Sequence, residues 1–184
     1  MGVLTDHDLV YYKTTHDLIG FIETGFEKGA GCAHALDSGF EDITSIEISE
    51  EYVKNGNIFY GNLMDIIKGD SSQVLPELLE MYPTNINVLF WLDAHLPGWP
   101  NKEAEDTDTC FPLQKELEAI KEFRLGKDVI IIDDLRIYEN GPYEAGNWGE
   151  FQIGIQFIKD LFEETHNFIK DYRKQGYLIL IPKK

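Results

Sequence analysis

The stretch LIGFIETGFEKGAG, residues 18–31, decides the fold. Its apolar run Leu18, Ile19, Phe21 and Ile22 ends on Glu23, and Gly25, Gly29 and Gly31 follow. An apolar run, a glycine turn and a small-residue segment in succession mark a buried parallel strand passing into a helix. Glycine lets the backbone approach a ligand closely, and the first turn of a helix presents N–H groups without intrahelical partners. Glu23 is then delivered to the carboxyl edge of the sheet. The stretch alone fits a cofactor cleft and a plain glycine turn equally well.

Outward from it the same alternation repeats. Strands are expected over residues 18–24, 43–48, 64–68, 86–92, 129–132, 167–172 and 177–181. Helices are expected over 29–38, from 50 onward, over 72–81, over 112–123 and over 150–164. Ser49 is a helix cap with Glu50 and Glu51 in the first turn, where acids are favoured. Pro76 places the regular part of the 72–81 helix near itself, and the Asn/Gly-rich residues 55–62 give no clear element. The mostly apolar runs INVLFWL (86–92) and VIII (129–132) are central strands covered on both faces. Two long loops, 96–111 and 135–149, follow those strands. The short connection 173–176 joins the last two strands as a hairpin. Five β-α units and a terminal hairpin give a doubly wound α/β fold with a mostly parallel seven-stranded sheet. It forms a single domain over 18–184, and residues 1–17 lie across it as an arm or helix.

The 184 residues suit one domain with a full core. A formal net charge of −17 argues against nucleic acid or an anionic membrane surface as a partner. Cys32 and Cys110 have no metal or disulfide spacing, which points to a reducing, cytoplasmic setting. No leader pattern opens the chain, and no apolar run approaches the ~20 residues of a membrane span.

Acids recur at or just past the strand ends: Glu23, Glu47, Asp70, Asp93, Asp133 and Asp134. Ligands of open α/β sheets bind at this edge, and neighbouring strands lie ~4.8 Å apart. If strands four and five are neighbours, Asp93 converges with the Asp133–Asp134 pair. A hard divalent cation, Mg²⁺ above all, would relieve the repulsion; caps and turn residues are the plainer account.

The segments Ile22-Glu23-Thr24-Gly25…Gly29, Ser45-Ile46-Glu47, Gly69-Asp70-Ser71, Phe90 to His95 and Ile132-Asp133-Asp134 together resemble class I S-adenosylmethionine-dependent methyltransferases. The resemblance spans residues 18–182 and implies a Rossmann-like fold with an antiparallel last strand. It implies that Glu23, Thr24, Gly25 and Gly29 hold the methionine end and ribose of S-adenosylmethionine. Glu47 matches the acid that binds the ribose hydroxyls, Asp70 and Ser71 lie beside the adenine, and Asp93 also borders the cofactor. Asp93, Asp133 and Asp134 fall where cation-dependent O-methyltransferases carry metal ligands. The glycines read G-x-x-x-G-x-G rather than the commoner G-x-G-x-G, and Leu96 stands where catechol-type enzymes place a lysine base. His95 is therefore the candidate general base, with a metal ligand or a structural histidine as its alternatives.

The expected activity is transfer of a methyl group to a hydroxyl of a small molecule or sugar, with the metal as Lewis acid. Trp99, Trp148, Tyr143 and Arg136 lie in the loops that would roof the acceptor, and the acidic residues 103–108 form a solvated loop. Only residues 1–17 precede the first strand. The cap over the acceptor is therefore expected from a second copy in a homodimer, or the acceptor is only partly enclosed. One rival is a nicotinamide-dependent oxidoreductase, since Glu47 follows Gly25 by about the ~20 residues of a dinucleotide fold. The other is a non-catalytic binding protein of the same fold.

Overall fold

The sheet runs β3-β2-β1-β4-β5-β7-β6 in a computed structural model that describes residues 3–95, 112–149 and 153–184. Its strands are β1 (Leu18–Thr24), β2 (Asp42–Glu47), β3 (Asp65–Lys68), β4 (Asn87–Leu92), β5 (Val129–Ile132), β6 (His166–Asp171) and β7 (Tyr177–Pro182). The helices are α1 (Leu9–Thr15), α2 (Ala30–Asp37), α3 (Glu50–Tyr60), α4 (Ser71–Met81), α5 (Leu113–Phe123) and α6 (Gln156–Phe162). The first five strands are parallel, and β7 pairs antiparallel with both β5 and β6. Inserting β7 between β5 and β6 departs from the 3-2-1-4-5-6 order usual for dinucleotide-binding sheets, which removes fold-level support for the oxidoreductase rival.

Side chains alternate across each strand, so one strand feeds two cores. Ile22, Phe90, Ile130 and Leu180 face Leu75 and Leu79 of α4, Leu117 of α5 and Ile158 of α6. Phe21, Leu89, Ile131 and Tyr177 face Leu4, Leu9, Cys32 and Ala35. At the amino edge, Asp128 accepts from the backbone N of Val88 at 2.7 Å and pairs with Arg124 at 3.0 Å. Arg124 also donates to the carbonyls of Pro83 and Ile86, so this buried charge is fully engaged.

Three expected boundaries move. Helix α4 begins at Ser71 rather than near Pro76, because Asp70 Oδ1 accepts from Ser72 N at 2.9 Å and starts the helix there. Pro76 only removes the bond that its missing N–H would have made to Ser72. Helix α3 continues through Asn55 and Gly56, where a Cβ would approach Ile66 Cδ1 to 2.5 Å and Phe26 Cε1 to 2.6 Å. Tertiary packing here overrides weak helix propensity. Helix α6 is shorter than expected: Gly154, at φ +85°, donates to Tyr138 O in a non-helical turn before it. Residues 150–152, the acidic residues 103–108, Trp99, Leu96 and Cys110 lie outside the described residues.

The arm is a 3₁₀ turn, Leu4–Asp6, followed by α1. Its anchor is the far end of the chain: Asp6 takes Lys174 Nζ at 2.7 Å and the Tyr177 hydroxyl at 2.8 Å, and Val3 N donates to that same hydroxyl at 3.1 Å. Among the described residues, no helix is long and apolar enough to cross a membrane.

Candidate active site

The parallel strands end level with one another, with Thr24 opposite both Ile46 and Leu92, and Leu92 opposite Ile132. The ladder runs one residue further: Gly25 N donates to Ile46 O (2.9 Å), Asp93 N to Thr24 O (3.1 Å) and Asp133 N to Leu92 O (3.1 Å). This register is what brings acids scattered through the sequence to one edge. Gly25 has φ +91°, and a Cβ there would lie 2.9 Å from the carbonyl O of Asp93, so both conformation and space call for glycine.

A cavity of about 400 Å³ opens at this edge, within the usual range for small-molecule sites. Glu23, Gly25, Glu47, Asp70, Ser71, Asp93 and His95 line it. Val3, Leu4 and Thr5 of the arm form part of its wall, so the chain itself supplies some of the cover that a second copy was invoked for. Thr24 and Gly29 are not on the wall. Thr24 is fully buried behind it, and Gly29 caps α2.

The carboxylates on the β1–β2–β3 side are held in place. Glu23 Oε2 accepts from Ser45 Oγ at 2.8 Å and Cys32 Sγ at 3.0 Å. A Cβ on Gly31 would collide with Glu23 Oε1, so the carboxyl fills the space beneath the start of α2. Burial pushes Glu23 up to about 7, against the pull of those two hydrogen bonds. Glu47 takes the backbone N–H of Glu27 on Oε2 (2.8 Å) and of Ser49 on Oε1 (2.6 Å). Each oxygen retains a lone pair, so the carboxylate is a fixed acceptor pair suited to a diol.

The β4–β5 side differs. His95 bridges two of its acids, with Nε2 3.1 Å from Asp134 Oδ2 and Nδ1 3.5 Å from Asp93 Oδ1. Among the described residues, both carboxyl oxygens of Asp133 and Oδ1 of Asp134 are buried without a hydrogen-bond partner. Burial pushes Asp93 well above the usual range, and the charges of Asp133 and Asp134 add to it. Burial and then the Asp134 charge carry Asp133 up to about 7. For His95 burial opposes protonation, but the Asp134 hydrogen bond and the charges of Asp134 and Asp133 leave its pKa raised. Asp134 itself has a left-handed backbone, φ 51° and ψ 44°, which aspartate tolerates better than most residues.

The expected divalent-cation site is not supported by this arrangement. Among the described residues, no group of three or more His, Cys, Asp or Glu side chains is disposed to hold a metal ion. Asp93, Asp133 and Asp134 do converge, but the imidazole of His95 links Asp93 to Asp134.

Sequence reasoning missed Glu116. It is only 1% exposed on α5, and among the described residues its Oε1 has no hydrogen-bond partner. Burial pushes it up to about 7, while the neighbouring hydroxyls of Ser71 and Thr24 pull the other way. Its position among Leu113, Leu117 and Ile120 puts it on the apolar face of α5, and a carboxylate at that spacing was the available clue.

No protein-family model matches the chain, and no curated protein sequence does. Solved structures do. A Staphylococcus aureus protein described as a candidate caffeoyl-CoA O-methyltransferase superposes with TM-score 0.63 at 16% identity, over 100% of this chain and 85% of that one. The O-methyltransferase TomG of Streptomyces achromogenes, in complex with S-adenosylmethionine, gives 0.58 at 12%, over 96% and 78%. Human methyltransferase-like protein 13, in complex with S-adenosylhomocysteine, gives 0.58 at 11%, over 91% and 72%. Strand order, antiparallel β7 and these likenesses agree: the chain has the fold of the class I S-adenosylmethionine-dependent methyltransferases.

Proposed function

We propose that the protein is an S-adenosylmethionine-dependent methyltransferase acting on a hydroxyl of a small molecule or sugar. The observation that carries this is the division of one cavity into a half with pre-positioned acceptors, Glu23 and Glu47, and a half with a carboxylate-held imidazole, His95. The acidic lining also suits a ligand that carries a sulfonium and an ammonium.

S-adenosylmethionine, when bound, supplies a methyl group already activated on sulfur. Glu47 would bind the ribose diol, Glu23 would set the backbone of the glycine turn against the methionine end, and Asp70 and Ser71 would border the adenine. His95 would take the proton of the acceptor hydroxyl on Nδ1, while Asp134 holds Nε2, fixes the tautomer and stabilises the imidazolium. Alignment of the hydroxyl with the methyl would be the main further contribution of the site. No step is assigned to a metal ion.

The test is transfer of labelled methyl from S-adenosylmethionine to a panel of catechols, hydroxy acids and sugars, with and without EDTA. The proposal predicts labelled ether product insensitive to EDTA and lost in His95→Asn. Cofactor binding without transfer to any hydroxyl would favour the non-catalytic alternative.

A further inference from the structure

The chain has three arginines, Arg124, Arg136 and Arg173, and two of them are saturated. Arg124 donates from Nε, Nη1 and Nη2 to Asp128 and two carbonyls. Arg173 donates from the same three nitrogens to Asp171 and the carbonyl of Asp6. Arg136 is different. Among the described residues its guanidinium makes no hydrogen bond, and its buried Nε, though ion-paired, has no hydrogen-bond partner. The nearest carboxylate oxygen is Asp134 Oδ1, 3.4 Å from Nε.

Arg136 is nevertheless held. Its guanidinium carbon lies 5.0 Å from the centroid of the Trp148 ring, and its backbone N donates to Gln175 O at 3.2 Å in the β6–β7 turn. Among the described residues, Trp148 Nε1 is also buried without a hydrogen-bond partner. An arginine stacked on an indole has lost much of its rotamer freedom before any ligand arrives, and its planar fork matches an oxyanion. It sits beside Asp134, which holds His95, so a group bound here lies next to the proposed base.

We propose that Arg136, braced on Trp148, binds an oxyanion of the methyl acceptor, a carboxylate or a phosphate carried near the hydroxyl that is methylated. This rests on the methyl-transfer reading and narrows the acceptor class to hydroxylated acids or phosphate esters. It also answers a problem of charge: an anionic acceptor approaching Asp93, Asp133 and Asp134 needs a fixed cation, and among the described residues Arg136 is placed to supply it.

The experiment is calorimetric titration of the full chain with benzoate, inorganic phosphate and neutral benzyl alcohol, with and without saturating S-adenosylhomocysteine. At least one anion should bind wild type about tenfold or more tighter than benzyl alcohol, and the preferred anion identifies the oxyanion. Arg136→Met should abolish that preference. Arg136→Lys, which keeps the charge but not the fork, should weaken it about tenfold and serves if the methionine variant fails to fold. Affinity for S-adenosylhomocysteine should stay within about threefold in both variants. Anions that bind no better than benzyl alcohol, or that bind Arg136→Met as they bind wild type, would overturn the proposal. Arg136-dependent anion binding without any affinity for S-adenosylhomocysteine would instead overturn the methyl-transfer reading and leave the anion site standing.

Discussion

The two halves of the sheet's carboxyl edge carry the same chemical groups but differ in their hydrogen bonding. On the β1–β2–β3 side, Glu23, Glu47 and Asp70 each accept hydrogen bonds from backbone amides or from Cys32 and Ser45. On the β4–β5 side, the Asp133 carboxyl has no hydrogen-bond partner among the described residues, and burial with the neighbouring carboxyl charges raises both Asp93 and Asp133. A buried acid with its donors in place is a finished binding surface. A buried acid without them stores free energy that a proton, a cation or a ligand can release, and functional sites are where such groups gather. On the methyl-transfer proposal, the first half would hold the cofactor and the second would carry the chemistry.

The largest effect should come from the chemical half. His95→Asn is expected to lower kcat by about 10²- to 10⁴-fold while leaving affinity for S-adenosylhomocysteine nearly unchanged. Because His95 must be neutral to act and its pKa is raised, wild-type activity should rise with pH along a limb centred above the ordinary 6.5. A limb at or below 6.5 in kcat against pH would break the assignment.

Glu116 tests the boundary between the halves. Its folded pKa of about 7 exceeds the ordinary 4.5, so the folded chain keeps a proton that the unfolded chain has released. Its contribution to stability is therefore full below about 4.5 and is lost as pH rises through 7. Glu116→Gln should be nearly neutral at low pH and stabilising by up to ~3 kcal/mol above the folded pKa, read by urea unfolding on either side of the titration.

Glu47→Ala should weaken S-adenosylhomocysteine by about ten- to a hundredfold, the loss of hydrogen bonds to a charged group. The smallest effect belongs to Asp133→Asn. It should leave cofactor affinity within about threefold and raise stability in alkaline buffer by on the order of 1 kcal/mol, because a buried charge is removed. Equal losses of cofactor affinity in Glu47→Ala and Asp133→Asn would erase the distinction between the halves.

Much of this was legible in the chain. The apolar runs of β1, β4 and β5 announce themselves because central strands are covered on both faces, and the acids that follow are placed by register alone. Three features were not. Gly56 inside α3 reads as a breaker until Phe26 and Ile66 are seen packed on it. The arm's place on the cavity wall depends on a bond between Val3 and Tyr177, 174 positions apart, which no local pattern encodes. The placement of His95 between two carboxylates, in preference to a cation among three, follows from side-chain geometry that spacing does not determine.

The central claim is that the hydrogen-bonded half is a cofactor site. It is tested most directly by calorimetric titration of wild type and Glu47→Ala with S-adenosylhomocysteine, and of wild type with NAD⁺. The account predicts saturable binding of S-adenosylhomocysteine that collapses in Glu47→Ala, and no heat from NAD⁺. Binding of NAD⁺, or affinity for S-adenosylhomocysteine that ignores the loss of Glu47, would contradict it.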